Sequence, residues 1–247
     1  MDEIDNTGIF CISRDIKISA YKIPDNVYHL MIGGKFNKCI GKDIFYLKIT
    51  WLYFWGDFNQ QIAVNSIPTS VKNLVFRDKF NQTIIPGSLP DKLESLQFCG
   101  DFDKEFDSGT LPENLLELIF RSNYSCKFIP GSLPDSIEKI GLLTNYHQTI
   151  DQLVFPSNLK YLIFSYHSDY IGITNLPSLP DHISVIVNHV NIIPPNLSIR
   201  VKINIDQLCV PNDSMYHITE NEILGIKYSE ITSESFEPFV RNKSANK

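Results

Sequence analysis

Apolar residues return in this chain at fixed offsets from a recurring proline. After Pro68 they stand at +3, +6, +8, +12 and +16, as Val71, Leu74, Phe76, Phe80 and Ile84. Pro90, Pro112, Pro134 and Pro156 follow Pro68 at steps of 22, so IPTSVKNLVFRDKFNQTIIPGS, LPDKLESLQFCGDFDKEFDSGT and LPENLLELIFRSNYSCKFIPGS are three copies of one pattern. Self-similarity with a period of about 20 to 50 residues is the signature of stacked repeats, so the pattern predicts a solenoid.

Each slot has a physical reading. Apolar +6 and +8 alternating with +5, +7 and +9 describe a short strand with one buried face. Stacked coils would set these strands about 4.8 Å apart in one parallel sheet, along a rod or arc roughly 40 Å long. Proline lacks an amide hydrogen, so it suits the irregular approach to the strand, where no ladder bond is needed. The rings at +12 (Phe36, Phe58, Phe80, Phe102, Tyr124, Tyr146) predict an aromatic spine inside the solenoid. Beside them Asn37, Asn59 and Asn81 at +13 are expected to bond backbone groups of their own and neighbouring coils. Nothing on the opposite wall has a 3.6-residue period, so that wall is expected to be extended or turn-like.

The template starts at Pro24, with Val27, Leu30, Ile32, Phe36, Asn37 and Ile40 in its slots. The second coil has Tyr46 in place of the proline and keeps Ile49, Leu52, Phe54, Phe58, Asn59 and Ile62. Coils four to six drift at +12 and +13 to Phe102-Asp103, Tyr124-Ser125 and Tyr146-His147. Coil seven, from Pro156, gains two residues before Pro180, with Tyr170 in the aromatic slot; coil eight places Ile183 and Ile186 in apolar slots. A shortened ninth coil ends in Leu197, Ile199, Val201, Ile203 and Ile205, the alternation of an edge strand. Three segments result: an N-terminal cap over residues 1–22, a solenoid of eight to nine repeats over 23–205, and a C-terminal cap and disordered tail over 206–247. In the first, Ile9 and Cys11, then Ile16 and Ile18, give the period of a half-buried strand. In the last, Thr219 and Glu222 form a capping box ahead of Ile223 and Leu224.

Composition narrows the function classes. The net charge is −6 with scattered Lys and Arg, which argues against a nucleic-acid partner. No apolar run reaches the roughly 18 residues of a membrane span and the N-terminus lacks a signal-peptide pattern, so no membrane association and a cytoplasmic location are expected. Five cysteines without CxxC spacing fit a reducing compartment.

The residues Phe58-Asn59-Gln60-Gln61-Ile62 and Phe80-Asn81-Gln82-Thr83-Ile84, followed by a proline approach and then VxxLxF or LxxLxF, resemble the FNIP repeat of slime moulds and of giant viruses of amoebae. LPDKLESLQF and LPDSIEKIGL are similar to short leucine-rich repeats with extended convex sides. The resemblance covers residues 23 to about 190. It implies a leucine-rich-repeat-like solenoid, mostly β, with one parallel sheet and a helix-poor opposite wall. It further implies an interaction role, in some relatives as the substrate-binding half of a ubiquitin-ligase adaptor whose F-box would here sit on another chain; for a viral protein the location would be host cytoplasm.

Candidate chemistry is sparse. No GxSxG, GxxxxGK[ST] or HExxH is present, so no enzyme activity, cofactor or metal is expected. His167, His182 and His189 match no zinc spacing; Asp101, Asp103, Glu105 and Asp107 lack the glycine and final glutamate of a calcium loop. Cys99 and Cys126 read as packing residues. The expected site lies instead on the outward strand positions, where Trp51, Tyr53 and Trp55 are joined by Val75 and Arg77 and by Ile119 and Arg121. Trp, Tyr and Arg are the types most enriched at interface hot spots, so these seven are the expected partner-binding patch, exposed on a monomer that binds another protein. The competing expectation is that the N-terminal 22 residues cover these rings or that a register shift buries them. A different class, a structural protein that assembles with copies of itself, is the alternative function.

Overall fold

The fold is that of a computed structural model, which describes residues 8–18, 23–41, 44, 47–121, 123–143, 146, 148, 154–165, 182–188 and 201–204. Its regular elements are short strands: β1 (Ile9–Ile12), β2 (His29–Ile32), β3 (Trp51–Phe54), β4 (Asn73–Asp78), β5 (Ser95–Gly100), β6 (Glu117–Phe120), β7 (Lys139–Leu142), β8 (Tyr161–Ser165), β9 (Ser184–Asn188) and β10 (Val201–Asn204). They join in chain order into one ten-stranded parallel sheet, the leucine-rich-repeat-like solenoid that the period predicts.

Register follows the 22-residue step. Leu30, Leu52, Leu74, Leu96, Leu118, Ile140 and Leu162 stand rung beside rung, each at most 2% exposed. Behind them the +8 column runs Phe54, Phe76, Phe98, Phe120, with ring centroids 5.2, 5.7 and 5.5 Å apart. The +12 spine runs Phe36, Phe58, Phe80, Phe102, Tyr124, Tyr146 at 6.0–6.3 Å, its planes within 20° of parallel. Each +8 ring also stacks on the +12 ring of its own coil, Phe98 on Phe102 at 3.8 Å. Near-parallel copies of one side chain are displaced by the coil-to-coil step at their depth. That step therefore grows from about 4.8 Å at a sheet to about 6 Å at the spine, so the coils fan apart behind the sheet. The outward face of the sheet lies inside the bend.

The +13 residues do what an asparagine at a turn is suited to do. The Asn37 Oδ1 accepts the Asn59 amide at 2.9 Å, Asn59 Oδ1 accepts that of Asn81 at 3.0 Å, and Asn81 Oδ1 accepts that of Asp103 at 3.0 Å. Asp15 starts this ladder by accepting from Asn37, and Asp103 ends it by accepting from Ser125, so backbone donors that no sheet satisfies are bonded between coils. Hydrogen bonds from Ser125 and Cys126 outweigh the effect of burial and hold the Asp103 carboxyl below its usual range.

In the first three coils position +10 has a left-handed backbone: Gly34 has φ 60°, Gly56 71° and Asp78 54°. Asp78 tolerates it because its carboxylate accepts the Gly56 N–H at 2.7 Å. A Cβ on Gly56 would press on the Gly34 backbone. Gly56→Ala is therefore expected to destabilise the protein by about 1–3 kcal/mol in urea unfolding; an unchanged midpoint would show that the turn relaxes freely.

Two details of register differ from the sequence reading. In β1 the inward residues are Phe10 and Ile12, 5% and 0% exposed, while Ile9 and Cys11 face outward and Ile16 is exposed. β1 pairs in parallel with β2, Phe10 beside Leu30, so its parity is set by the sheet rather than by the local alternation. In coil eight Ile186 pairs with Ile163 and Val185 with Leu162, so Ile186 occupies the outward column; the approach from Pro180 to the strand is one residue shorter than elsewhere. Ile183 is buried. Tyr46, Tyr170, Leu197, Ile199, Ile205 and residues 206–247 lie outside the described residues.

Candidate functional site

Because +6 and +8 point into the core, the outward face carries three columns. The +5 column reads His29, Trp51, Asn73, Ser95, Glu117, Lys139, Tyr161, and the +7 column Met31, Tyr53, Val75, Gln97, Ile119, Gly141, Ile163. Column +9 includes Gly33, Trp55, Arg77, Cys99 and Arg121. All seven residues expected in the binding patch stand in these columns. Trp51, Tyr53 and Trp55 belong to coil two and Val75 and Arg77 to the adjacent β4, where Arg77 Nη1 donates to Tyr53 Oη at 3.3 Å. Ile119 and Arg121 are two strands further on, at β6.

Their exposure is not uniform. Trp51, Val75 and Ile119 are buried, at 8%, 4% and 5%, although they are on the outward face and outside the main core cluster. Tyr53, Trp55 and Arg77 are half-buried, and Arg121 is exposed. The expectation of an exposed aromatic cluster is corrected on this point. The rungs converge on the inside of the bend, so in-register side chains shield one another laterally; His29, for instance, packs edge-on against Trp51 at 5.8 Å. Trp55 lies over Gly33, where a Cβ would strike the indole. Its Nε1 is enclosed with no hydrogen-bond partner.

From β5 to β7 the face also carries polar groups. Ser95 and Gln97 are buried at 4% and 6%, and Lys139 and Glu117 form an ion pair at 2.5 Å with side chains 11% and 18% exposed. These residues, with Cys99, were not in the expected patch. The same offsets in coils four to six point to them, but without an aromatic or arginine they carry no hot-spot signal. Outside this face, exposed pairs link successive coils: Lys72–Glu94 at 2.7 Å, Lys79–Asp57 at 2.6 Å and Lys160–Glu138 at 2.6 Å. Such pairs favour register more than stability.

Burial and local hydrogen bonds set the protonation of the face and of the cysteines near it. Burial pushes the Tyr53 phenol up, against the opposing pull of Arg77, so it stays a neutral hydroxyl at pH 7. Arg77 is held above its usual value by that same bond. Burial also raises the Cys99 thiol, and burial with the Asp103 bond raises Cys126 to about 12, so both remain protonated and weakly nucleophilic. Among the described residues no three of His, Cys, Asp and Glu come together to hold a metal ion, and no helix is long and apolar enough to cross a membrane. His182 is exposed; His167 and His189 lie outside the described residues.

Comparison with known proteins agrees with this architecture. The family model described as FNIP Repeat matches residues 58–101, 102–144 and 128–167. Among solved structures the chain is similar to CroV588, described as a novel circular LRR protein, with a TM-score of 0.54 and 25% sequence identity. The match covers 73% of this chain and 30% of that one, so this chain corresponds to under a third of its neighbour's length. No curated protein matches the sequence.

Proposed function

We propose, from the premise that residues 58–167 are FNIP repeats, that this chain is a non-enzymatic protein-interaction module that binds another protein on the outward face of its sheet. The observation that carries the reading is the composition of that face: Trp51, Tyr53 and Trp55 of coil two stand beside Arg77 of β4, which donates to Tyr53, facing away from the core. Among the described residues the opposite wall exposes scattered large apolar side chains such as Val64 and Ile129. Side chains that the core does not use, of the types that dominate hot spots and held rigid by their neighbours, lose little entropy on binding.

Trp55 is half-buried and borders this face, so Trp55→Ala is expected to weaken capture of the bound protein from a cell extract by about 2 kcal/mol, the hot-spot scale, while the melting temperature changes little. Ile129→Ala, on the far wall, serves as the control and should leave capture unchanged. Equal capture by the Trp55 variant and the parent protein would refute the assignment. A copy of the chain itself as the captured species would favour the self-assembling structural role instead. Capture of an F-box protein would support the substrate-recognition role in a ubiquitin-ligase assembly.

A further inference from the structure

Resting on the outward face as the binding surface, the geometry points to an extended, acidic peptide segment as its occupant, with the Gln97 amide taking one of its main-chain peptide groups and Arg121 one of its carboxylates. Gln97 interrupts an otherwise mostly apolar column between Val75 and Ile119. It is 94% buried, and among the described residues its amide has no hydrogen-bond partner. Nor is the amide sealed off, since the fully enclosed partnerless side-chain atoms are Trp55 Nε1, Thr110 Oγ1 and Ser132 Oγ. The residual surface of Gln97 therefore includes its amide. A buried amide left unbonded lowers stability, and an apolar residue of similar size would suit the column better. A carboxamide is a donor and an acceptor side by side, the complement of one peptide group in an extended chain.

The charges select the side chains. Arg77 is matched by Asp78 at 3.4 Å and Lys139 by Glu117 at 2.5 Å. Among the described residues Arg121 makes no ion pair. Among the described residues it is the exposed cation of the face, two strands beyond Arg77, and its fork suits a carboxylate. Tyr53 and Trp55 at the other end offer half-exposed rings to an apolar or aromatic side chain. From coil two to β6 is three strand steps, about 14 Å, which an extended chain covers in about four residues. The occupant is thus a segment crossing the strands, with an apolar residue about four positions from an Asp or Glu.

A displayed library of random twelve-residue peptides, selected on the full chain, is the probe. The parent protein should enrich peptides with an apolar or aromatic residue and an acidic residue three to five positions apart. Gln97→Met should bind the enriched peptides at least ten-fold more weakly while melting at an equal or higher temperature. Arg121→Glu should fold normally and, reselected, enrich basic residues at the acidic position. No enrichment on the parent, an enriched pattern without the acidic residue, or equal binding by both variants would overturn the inference. Any of those results, alongside lost capture by Trp55→Ala, would leave the face as the binding surface and remove only the peptide-like occupant.

Discussion

Phe98→Ala should lower the unfolding free energy by about 3–5 kcal/mol, the range for truncating a buried phenylalanine. Phe98 is fully buried and its ring contacts Phe102 at 3.8 Å, Phe120 at 5.5 Å, Phe76 at 5.7 Å and Phe106 at 6.0 Å, in its own coil and both adjoining ones. Neighbours on two sides are themselves locked in columns, so the cavity cannot close by a small shift, and the lost contacts add to the transfer free energy. Phe36→Ala should cost less. Among the described residues Phe36 stacks on Phe58 alone among the rings, and the residue in its slot one coil earlier is the exposed Arg14, so an end coil frays without opening the middle of the array. Urea unfolding of both variants decides it. A loss under about 1 kcal/mol for Phe98→Ala would mean that the ring columns do not carry the core's packing.

The second large effect is expected from Leu96→Ala, at about 2–5 kcal/mol. Leu96 is 0% exposed between Leu74 and Leu118 on the inward face. Leu116, at position +4 of the next coil, is 40% exposed, so Leu116→Ala should fall within about 0.5 kcal/mol. The same substitution two residues off the register of its strand thus separates packing from composition. Equal effects at both sites, read by thermal or urea unfolding, would refute the slot assignment.

Much of this architecture is legible in the sequence because a solenoid makes one local decision many times. The step of 22 aligns Leu74 with Leu96 and Leu118 without any knowledge of long-range contacts, since each coil touches only its neighbours. The ring spine and the Asn37–Asn59–Asn81 ladder follow from the same alignment. What the pattern does not carry is the bend. Trp51, Val75 and Ile119 are in outward positions, as the period requires, yet they are buried, because their shielding depends on how far successive coils converge on the sheet side. That is set by the bulk of the rings at +8 and +12 acting together. The parity of β1 and the shifted Ile186 were hidden for a related reason: both lie where a coil departs from 22 residues, and there pairing with the adjacent strand overrides local alternation. Ser95, Gln97 and Lys139 were within reach of the offsets, but a residue-type criterion alone passes over them.

The claim that the inner face of the bend is where a partner sits is tested most directly by a photo-reactive residue placed at single positions in the otherwise intact chain. Introduced at Tyr53 or Arg121, it should form discrete adducts with a second protein in cell extract; at Val64 or Ile129, on the far wall, it should form none. Adducts confined to the far wall, or formed only between copies of this chain, would contradict the account.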